Sequence, residues 1–341
     1  MKTQKTYGFA LIGCGAIARI HAAAIEQIEN AKLVAVYDNF YEFSQKFAAE
    51  RSCKAYQTIE ELLGDSEVDI VNICTPSGLH AELAIKAAKA KKHIVVEKPM
   101  AITHEQISEL VKSVEENEVK VEVVTQLRFT DAVKKIKNAI DEGKLGKILL
   151  ADFRGRYYRS PEYYAQGGWR GTWKMDGGGA LMNQGIHGID LIQYLVGGVK
   201  SVYADCRTVL HNIETEDTAN ILVEYQCGAI GVIQGTTAVN PGYPRTIEIT
   251  GTNGTIVLKE DVIERWDIIG EDAHEAKESE SNSGSDPMAI PFAYHKLQFE
   301  DLIDAIENNR APVVDVYEGK KPVEIILAAY ESSKTGKKVE L

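Results

Sequence analysis

With 341 residues, 44% of them apolar, the chain is long enough to bury two separate cores and ordinary enough in composition to be globular. Its net charge of -12 opposes a broad electrostatic footprint for nucleic acid or for an anionic membrane surface, and no apolar run approaches the ~18 residues of a spanning helix. What is left is small-molecule chemistry, with no nucleic acid and no membrane as partner.

The opening "MKTQKTYGFALIGCGAIARIH" has the lysines and apolar run of a short signal peptide, but its glycines and Arg19 break the run too early, so a cytoplasmic location is expected. Five cysteines (Cys14, Cys53, Cys74, Cys206, Cys227) are scattered, odd in number and free of C-x-x-C spacing. They predict reduced core thiols, neither a disulfide framework nor a metal site.

From Tyr7 onward, strand-like runs alternate with helical patterns. "YGFALIG" leads to a helix from about Ala16, "KLVAVYD" to a helix through "FSQKFAAE", and "VDIVNICTP" to a helix through "HAELAIKAAKA". "HIVVEKP", a helix through "EQISELVKSVEEN", and "KVEVVT" complete the series. That alternation predicts parallel strands joined by helical crossovers, a doubly wound α/β domain over residues 1–125.

Within it, "GCGAIA" fits G-x-G-x-x-A where the first strand turns into a helix. Gly13 permits the tight turn, Gly15 lets backbone approach a pyrophosphate, and Ala16 and Ile17 open a helix whose N–H groups face the anion. Asp38, at the end of the second strand, is placed to bind a ribose 2′-hydroxyl and to repel a 2′-phosphate, which favours NAD over NADP. Thr75 and Pro76 end another central strand on the same carboxyl edge, ahead of a helix that Ser77 could cap, and His80 in the first helical turn is a capping or cofactor-contacting histidine. The next strand delivers Glu97 and Lys98 to this edge, with Pro99 fixing the backbone after them. An ammonium held there can hydrogen-bond a hydroxyl oxygen that turns negative as hydride leaves. Glu97, Lys98, Thr75, Pro76 and His80, and further along the chain Trp169 and Arg170, are all counted as cofactor contacts.

Beyond Gln126 one helix ("DAVKKIKNAIDEG") precedes long strand-like segments, and Asn253-Gly254 has the residue types of a two-residue hairpin turn. An α+β domain with a mostly antiparallel sheet is predicted over 126–341, its last helices free to pack on either domain. The acidic, serine-rich stretch between Gly270 and Pro291 is expected to be a mobile surface loop, with a lid over ligand as the alternative.

In "DGGGALMNQGIHGIDLIQYLVG" three glycines precede a helical segment with Asn183, His187 and Asp190 at i, i+4 and i+7, on one face. As a neutral imidazole His187 can accept a hydroxyl proton near pH 7. Upstream, "FRGRYYRSPEYYAQGGWRGTW" sets Arg154, Arg156, Arg159 and Arg170 among aromatic residues. Arg159, Trp169 and Arg170 are candidates for gripping sugar, phosphate or carboxylate, and Gln126 and Arg128 in "TQLRF" for lining the same site.

These signals together, "GCGAIA", "EKPMA", "GGWRGTW", "GGGALMNQGIHGIDL" and "TGTNGTI", make the chain resemble the Gfo/Idh/MocA oxidoreductases, which include glucose-fructose oxidoreductase and inositol dehydrogenases. The resemblance spans essentially the whole chain. It implies a Rossmann domain joined to an α/β domain whose open sheet makes the oligomer contact of a homodimer or homotetramer, with the active site between the domains. It also implies that Lys98 is the lysine of the E-K-P motif and His187 the catalytic histidine. Many polyol dehydrogenases of the family have aspartate where this chain has Asn183, and in that respect it is similar to the branch that oxidises the 3-hydroxyl of UDP-linked amino sugars and their uronates. The expected activity is NAD-dependent transfer of hydride between a ring hydroxyl of a sugar, sugar nucleotide or cyclitol and nicotinamide. A glycosidase using NAD for transient oxidation and a non-catalytic dinucleotide-binding regulator of the same fold are the alternatives.

Overall fold

The structure is a computed structural model and describes residues 5–166, 168–272 and 292–341. The stretch expected as a mobile loop lies almost wholly outside the described residues. Two compact units emerge, Met1–Gln126 with Pro291–Lys320, and Leu127–Ile290 with Lys321–Leu341.

In the first unit β1 (Tyr7–Ile12), α1 (Ala16–Ile25), β2 (Ala31–Tyr37), α2 (Tyr41–Arg51), β3 (Lys54–Tyr56), α3 (Ile59–Gly64), β4 (Ile70–Ile73), α4 (His80–Lys89), β5 (His93–Val96), α5 (His104–Asn117) and β6 (Val121–Val123) follow in order. The strands form a parallel sheet of order β3-β2-β1-β4-β5-β6, the doubly wound arrangement. β1, β4 and β6 are buried throughout, as a sheet covered on both faces requires. The strand β3 and helix α3 are additions to the sequence reading. The signal for α3 is a capping box: Glu61 N–H donates to Thr58 Oγ1 (3.2 Å) and Thr58 N–H to Glu61 Oε2 (3.0 Å). Ser77 does not cap α4; it lies buried in a 3-10 turn, Ser77–Leu79, and the N-cap position falls to Leu79.

The second unit contains α6 (Asp131–Asp141), β7 (Ile148–Arg156), α7 (Pro161–Ala165), a π-helical turn (Ala180–Gly185), α8 (Ile186–Val196), β8 (Val199–Arg207), β9 (Thr218–Tyr225), β10 (Ile230–Thr236), β11 (Thr246–Gly251), β12 (Gly254–Lys259) and β13 (Val262–Ile268). With the terminal β14 (Val339–Glu340) the strands make an eight-stranded open sheet, β13-β12-β11-β7-β10-β9-β8-β14. All neighbours are antiparallel except β7 and β10. The β11–β12 hairpin forms, but its tip is Thr252-Asn253, because Gly251 pairs with Gly254. Gly254 is needed for a different reason: a Cβ there would lie 2.0 Å from the Asp267 carbonyl oxygen on β13.

One face of this sheet packs on α8, where Gly188 admits the Phe153 ring of β7. The other face exposes Tyr203, Leu222 and Val232, paired in register across β8, β9 and β10, and Ile230 beside Leu150.

Two further helices complete the chain. α9 (Phe292–Glu307) packs on α1 in the first unit, with the Phe299 and Phe9 ring centroids 6.1 Å apart. α10 (Val316–Thr335) has Pro322 inside it. Among the described residues no helix is long and apolar enough to cross a membrane. The cysteines are all free, yet only Cys74 is a buried core thiol; Cys14, Cys53 and Cys206 are half-buried and Cys227 is exposed. Burial raises all four of the half-buried and buried thiols, Cys14 and Cys206 to about 12, Cys53 to about 11 and Cys74 well above its ordinary value.

Candidate active site

The carboxyl edge of the parallel sheet gathers the dinucleotide candidates. Gly13 follows β1 with φ +96, and a Cβ there would lie 2.7 Å from the Cys74 carbonyl oxygen and 3.3 Å from Thr75 Cγ2. Gly15 is the N-cap of α1, makes no side-chain capping bond, and a Cβ on it would meet nothing within 4 Å. Ala16 and Ile17 open the helix, and Ala18 is fully buried beneath it. The turn is therefore tight on one side and open on the other, with uncapped helical N–H groups at its mouth. These residues fit a dinucleotide: backbone can approach a pyrophosphate where a side chain would stand.

Asp38 follows β2, and its Oδ2 accepts a hydrogen bond from Cys14 N–H (2.9 Å) while Oδ1 accepts from Phe40 N–H (3.0 Å). It thus ties the second strand to the glycine turn. His80 has both ring nitrogens on backbone carbonyls, Pro99 O and Thr75 O, each at 2.7 Å. It is 1% exposed, and burial holds its pKa below the ordinary value although both carbonyls pull the other way. Its ring stitches the Thr75-Pro76 turn to the Lys98-Pro99 turn.

From Ile94 to Ile102 every residue is buried except Lys98. The preceding Glu97 is a buried carboxylate whose Oε1 accepts from His21 Nε2 (3.0 Å) and whose Oε2 accepts from the Lys98 N–H (3.2 Å). Burial pushes its pKa up, but the hydrogen bond from His21, helped by the electrostatics of the surrounding His21, His295 and Lys98, outweighs it and brings the group down to about 2. Glu97 is thus spent inside the protein, where the sequence reading made it a cofactor contact.

In the second unit the glycine-rich entry is clasped from below. Gly179 N–H donates to Glu216 Oε2 (3.0 Å), and Leu181 N–H (2.8 Å) and Tyr330 Oη (3.0 Å) donate to Oε1. A Cβ on Gly179 would lie 1.8 Å from the Glu216 carbonyl oxygen. Burial raises the Glu216 carboxyl to about 7 against these donors. The chain then makes the π-helical turn that carries Asn183 before α8 carries His187, so the two are not in simple α-helical register; such turns recur at functional sites. From Asp176 to Gln193 every residue is buried except Asn183 and His187. The Asn183 amide is oriented from both sides, donating to Asp176 Oδ1 (2.6 Å) and accepting from Gln184 Nε2 (3.3 Å).

Asp190 does not join that pair. It is buried and takes a two-pronged ion pair from Arg128, Nε to Oδ2 at 2.9 Å and Nη2 to Oδ1 at 2.5 Å, with the guanidinium 4.4 Å from the Tyr194 ring centroid. Arg128 is therefore a structural arginine, contrary to its sequence assignment as a substrate residue: its fork is matched by a carboxylate of the same unit. Gln126 is 4% exposed and its Oε1 has no hydrogen-bond partner. Trp169 and Arg170 do pair, the guanidinium carbon 4.9 Å from the Trp169 ring and 4.6 Å from Tyr163. Arg159 is buried, 5.7 Å from the same Tyr163 ring, and donates from Nη1 to the Tyr158 carbonyl (2.7 Å).

Residues 7–125 match an oxidoreductase family described by its NAD-binding Rossmann fold, and residues 133–257 match the GFO/IDH/MocA C-terminal domain. The chain is 28% identical to a myo-inositol 2-dehydrogenase of Thermotoga maritima over 97% of each chain. It is 31% identical to a glucose-6-phosphate 3-dehydrogenase of Bacillus subtilis, over 67% of this chain and 65% of that one. The crystal structure of the WlbA dehydrogenase from Bordetella pertussis, in complex with NADH and UDP-GlcNAcA, superposes with a TM-score of 0.88 at 32% identity, covering 99% of both chains.

Proposed function

We propose, for a chain that belongs to the GFO/IDH/MocA family of NAD-binding oxidoreductases, that its reaction is the oxidation of a ring hydroxyl of a sugar, sugar nucleotide or cyclitol, or the reverse reduction of the ketone. One observation carries the assignment of residues: in two otherwise buried segments the partly exposed side chains are Lys98, Asn183 and His187, a cation, an amide and an imidazole. Burying all the neighbours of three polar groups is a pattern that a mere surface does not need.

His187 accepts the hydroxyl proton at an imidazole nitrogen, and Lys98 donates a hydrogen bond to the oxygen as negative charge develops on it. Asn183, fixed by Asp176 and Gln184, orients the substrate. When bound at the glycine turn, NAD supplies the acceptor for the hydride that leaves the carbon. Trp169 and Arg170, with Arg159, supply the aromatic face and positive charge that a sugar nucleotide would use. That substrate class is favoured by the likeness to the WlbA dehydrogenase over nearly the whole chain. The five free cysteines favour a cytoplasmic protein. The apolar row on the open sheet favours a homodimer or homotetramer joined through that face.

The test is a panel of UDP-sugars, free sugars and inositols with NAD and NADP, following reduced cofactor. Lys98→Ala and His187→Ala should each lower kcat/KM by at least about 100-fold on the substrate found, in line with general acid-base contributions. Wild-type rates in both variants would sink the assignment, and turnover of inositols alone would remove the sugar-nucleotide class.

A further inference from the structure

Beneath Lys98 lies a polar cluster that the reaction scheme does not use. His21 of α1, Asn72 of β4, Glu97 after β5 and His295 of α9 are 0%, 0%, 6% and 1% exposed. Four elements thus deliver polar side chains to one point in the core of the first unit. His21 Nε2 lies 3.0 Å from Glu97 Oε1, and its Nδ1 lies 3.0 Å from Asn72 Nδ2 and 3.4 Å from Cys74 Sγ. His295 Nε2 stands 3.9 Å from Glu97 Oε1, and the Phe299 ring packs on both imidazoles, at 5.0 and 6.2 Å between centroids. Burying a carboxylate costs several kcal/mol even after relaxation, so a position that only had to close a strand end would be cheaper as an apolar residue.

The order of donors gives the cluster a direction. The Asn72 amide donates to Nδ1 of His21, which leaves the ring proton on Nε2; from there it is donated to Glu97 Oε1. The other Glu97 oxygen receives the backbone N–H of Lys98. His21, Glu97 and His295 place ligating atoms within 4.8 Å of one another, but the facing His21 and Glu97 atoms are joined by a hydrogen bond, and a nitrogen that carries a proton is not a metal ligand.

We propose that His21 is a positioning residue for Lys98, acting through Glu97: the buried run from Asn72 through His21 to Glu97 holds the Lys98 peptide, and so the root of the ammonium-bearing side chain, in one place. No proton moves along it. The inference rests on the role given to Lys98 above.

Four single variants and one double variant test it. His21→Leu keeps bulk and removes the donor, Glu97→Gln disturbs the next link, His21→Gln supplies an amide that can donate to Glu97 and accept from Asn72, and Lys98→Ala serves as reference. His21→Leu should lower kcat by about 10- to 100-fold, the cost of displacing a reacting group by a fraction of an ångström to about an ångström, with KM for NAD changed less than about threefold. Glu97→Gln should lose a similar factor, the double variant His21→Leu/Glu97→Gln should lose no more than the worse single, and His21→Gln should recover most of the rate. NADH fluorescence titration and thermal melting separate these effects from loss of fold. Losses that multiply in the double variant, a change confined to KM, or equal damage from His21→Gln and His21→Leu would each overturn the proposal. So would one equivalent of zinc or manganese in the purified protein that disappears in His21→Leu. If Lys98→Ala is fully active the reaction scheme itself fails; if Lys98→Ala is inactive and His21→Leu is not impaired, only the positioning role fails.

Discussion

Replacing Glu216 by glutamine should remove a pH dependence from the stability of the second unit. The carboxyl sits under the glycine-rich turn, and burial raises it to about 7 although two backbone N–H groups and Tyr330 Oη donate to it. A raised acid binds its proton more tightly folded than unfolded, so its stabilising contribution is complete below the unfolded value and is lost as pH rises through the folded one. At ~1.4 kcal/mol per pH unit, the gap between 4.5 and about 7 is worth about 3 kcal/mol, present at pH ~4 and gone by pH ~8. Glutamine has no proton to lose in that range. It also turns an NH2 toward a backbone donor, which costs about 1–3 kcal/mol at every pH alike. All three tryptophans, Trp169, Trp173 and Trp266, belong to the second unit, so denaturation followed by their fluorescence reports this unit. The fall in unfolding free energy between pH ~5 and ~8 should be smaller in Glu216→Gln than in the wild type by about 2–3 kcal/mol. The same fall in both proteins would refute the reasoning, because the titration would then belong to another group.

Two further outcomes follow from buried and exposed side chains of the same unit. Arg128→Met should destabilise it by about 3–5 kcal/mol by stranding the Asp190 charge, while Arg128→Met/Asp190→Leu should recover most of that loss; the same fluorescence-detected denaturation reads both, and equal loss in single and double variants would contradict a buried ion pair. Leu222→Lys, in the middle of the exposed row between Tyr203 and Val232, should shift the protein toward monomer in light scattering without changing NADH affinity. An unchanged mass would remove the open sheet face as the contact.

What could be read in the sequence was what is local. The glycine turn announces itself within six residues, Asp38 is placed by the length of one β-α-β unit, and the alternation of apolar runs with helical spacing gives the parallel sheet. What could not be read depends on partners far along the chain. Arg128 looked like a substrate residue because nothing near it in sequence is acidic in the right place; Asp190 is 62 positions on. Glu97 stands on the cofactor edge in sequence, and its partner His21 lies 76 positions earlier, in the first helix. Asn183 and His187 share an apparent helical face in sequence, but the π-helical turn that offsets them arises where Glu216 clasps the backbone at Gly179 and Leu181, 37 and 35 residues away. Two short helices do carry short-range signals, α3 in the Thr58 and Glu61 box and α7 in Ser160 followed by Pro161.

The placement of α9 has a consequence for how the chain comes into being. Phe299, Leu302 and Ile303 belong to the same buried cluster as Phe9, Leu11 and Phe47. During synthesis the first 126 residues therefore leave the ribosome without the helix that closes their core. At ~5–20 residues per second that helix arrives on the order of ten to thirty seconds later, after all of the second unit except its closing segment Lys321–Leu341 has been made. The nucleotide-binding unit is first to be translated and cannot be first to be finished; through that interval its apolar edge is a client for whatever in the cell shields nascent chains.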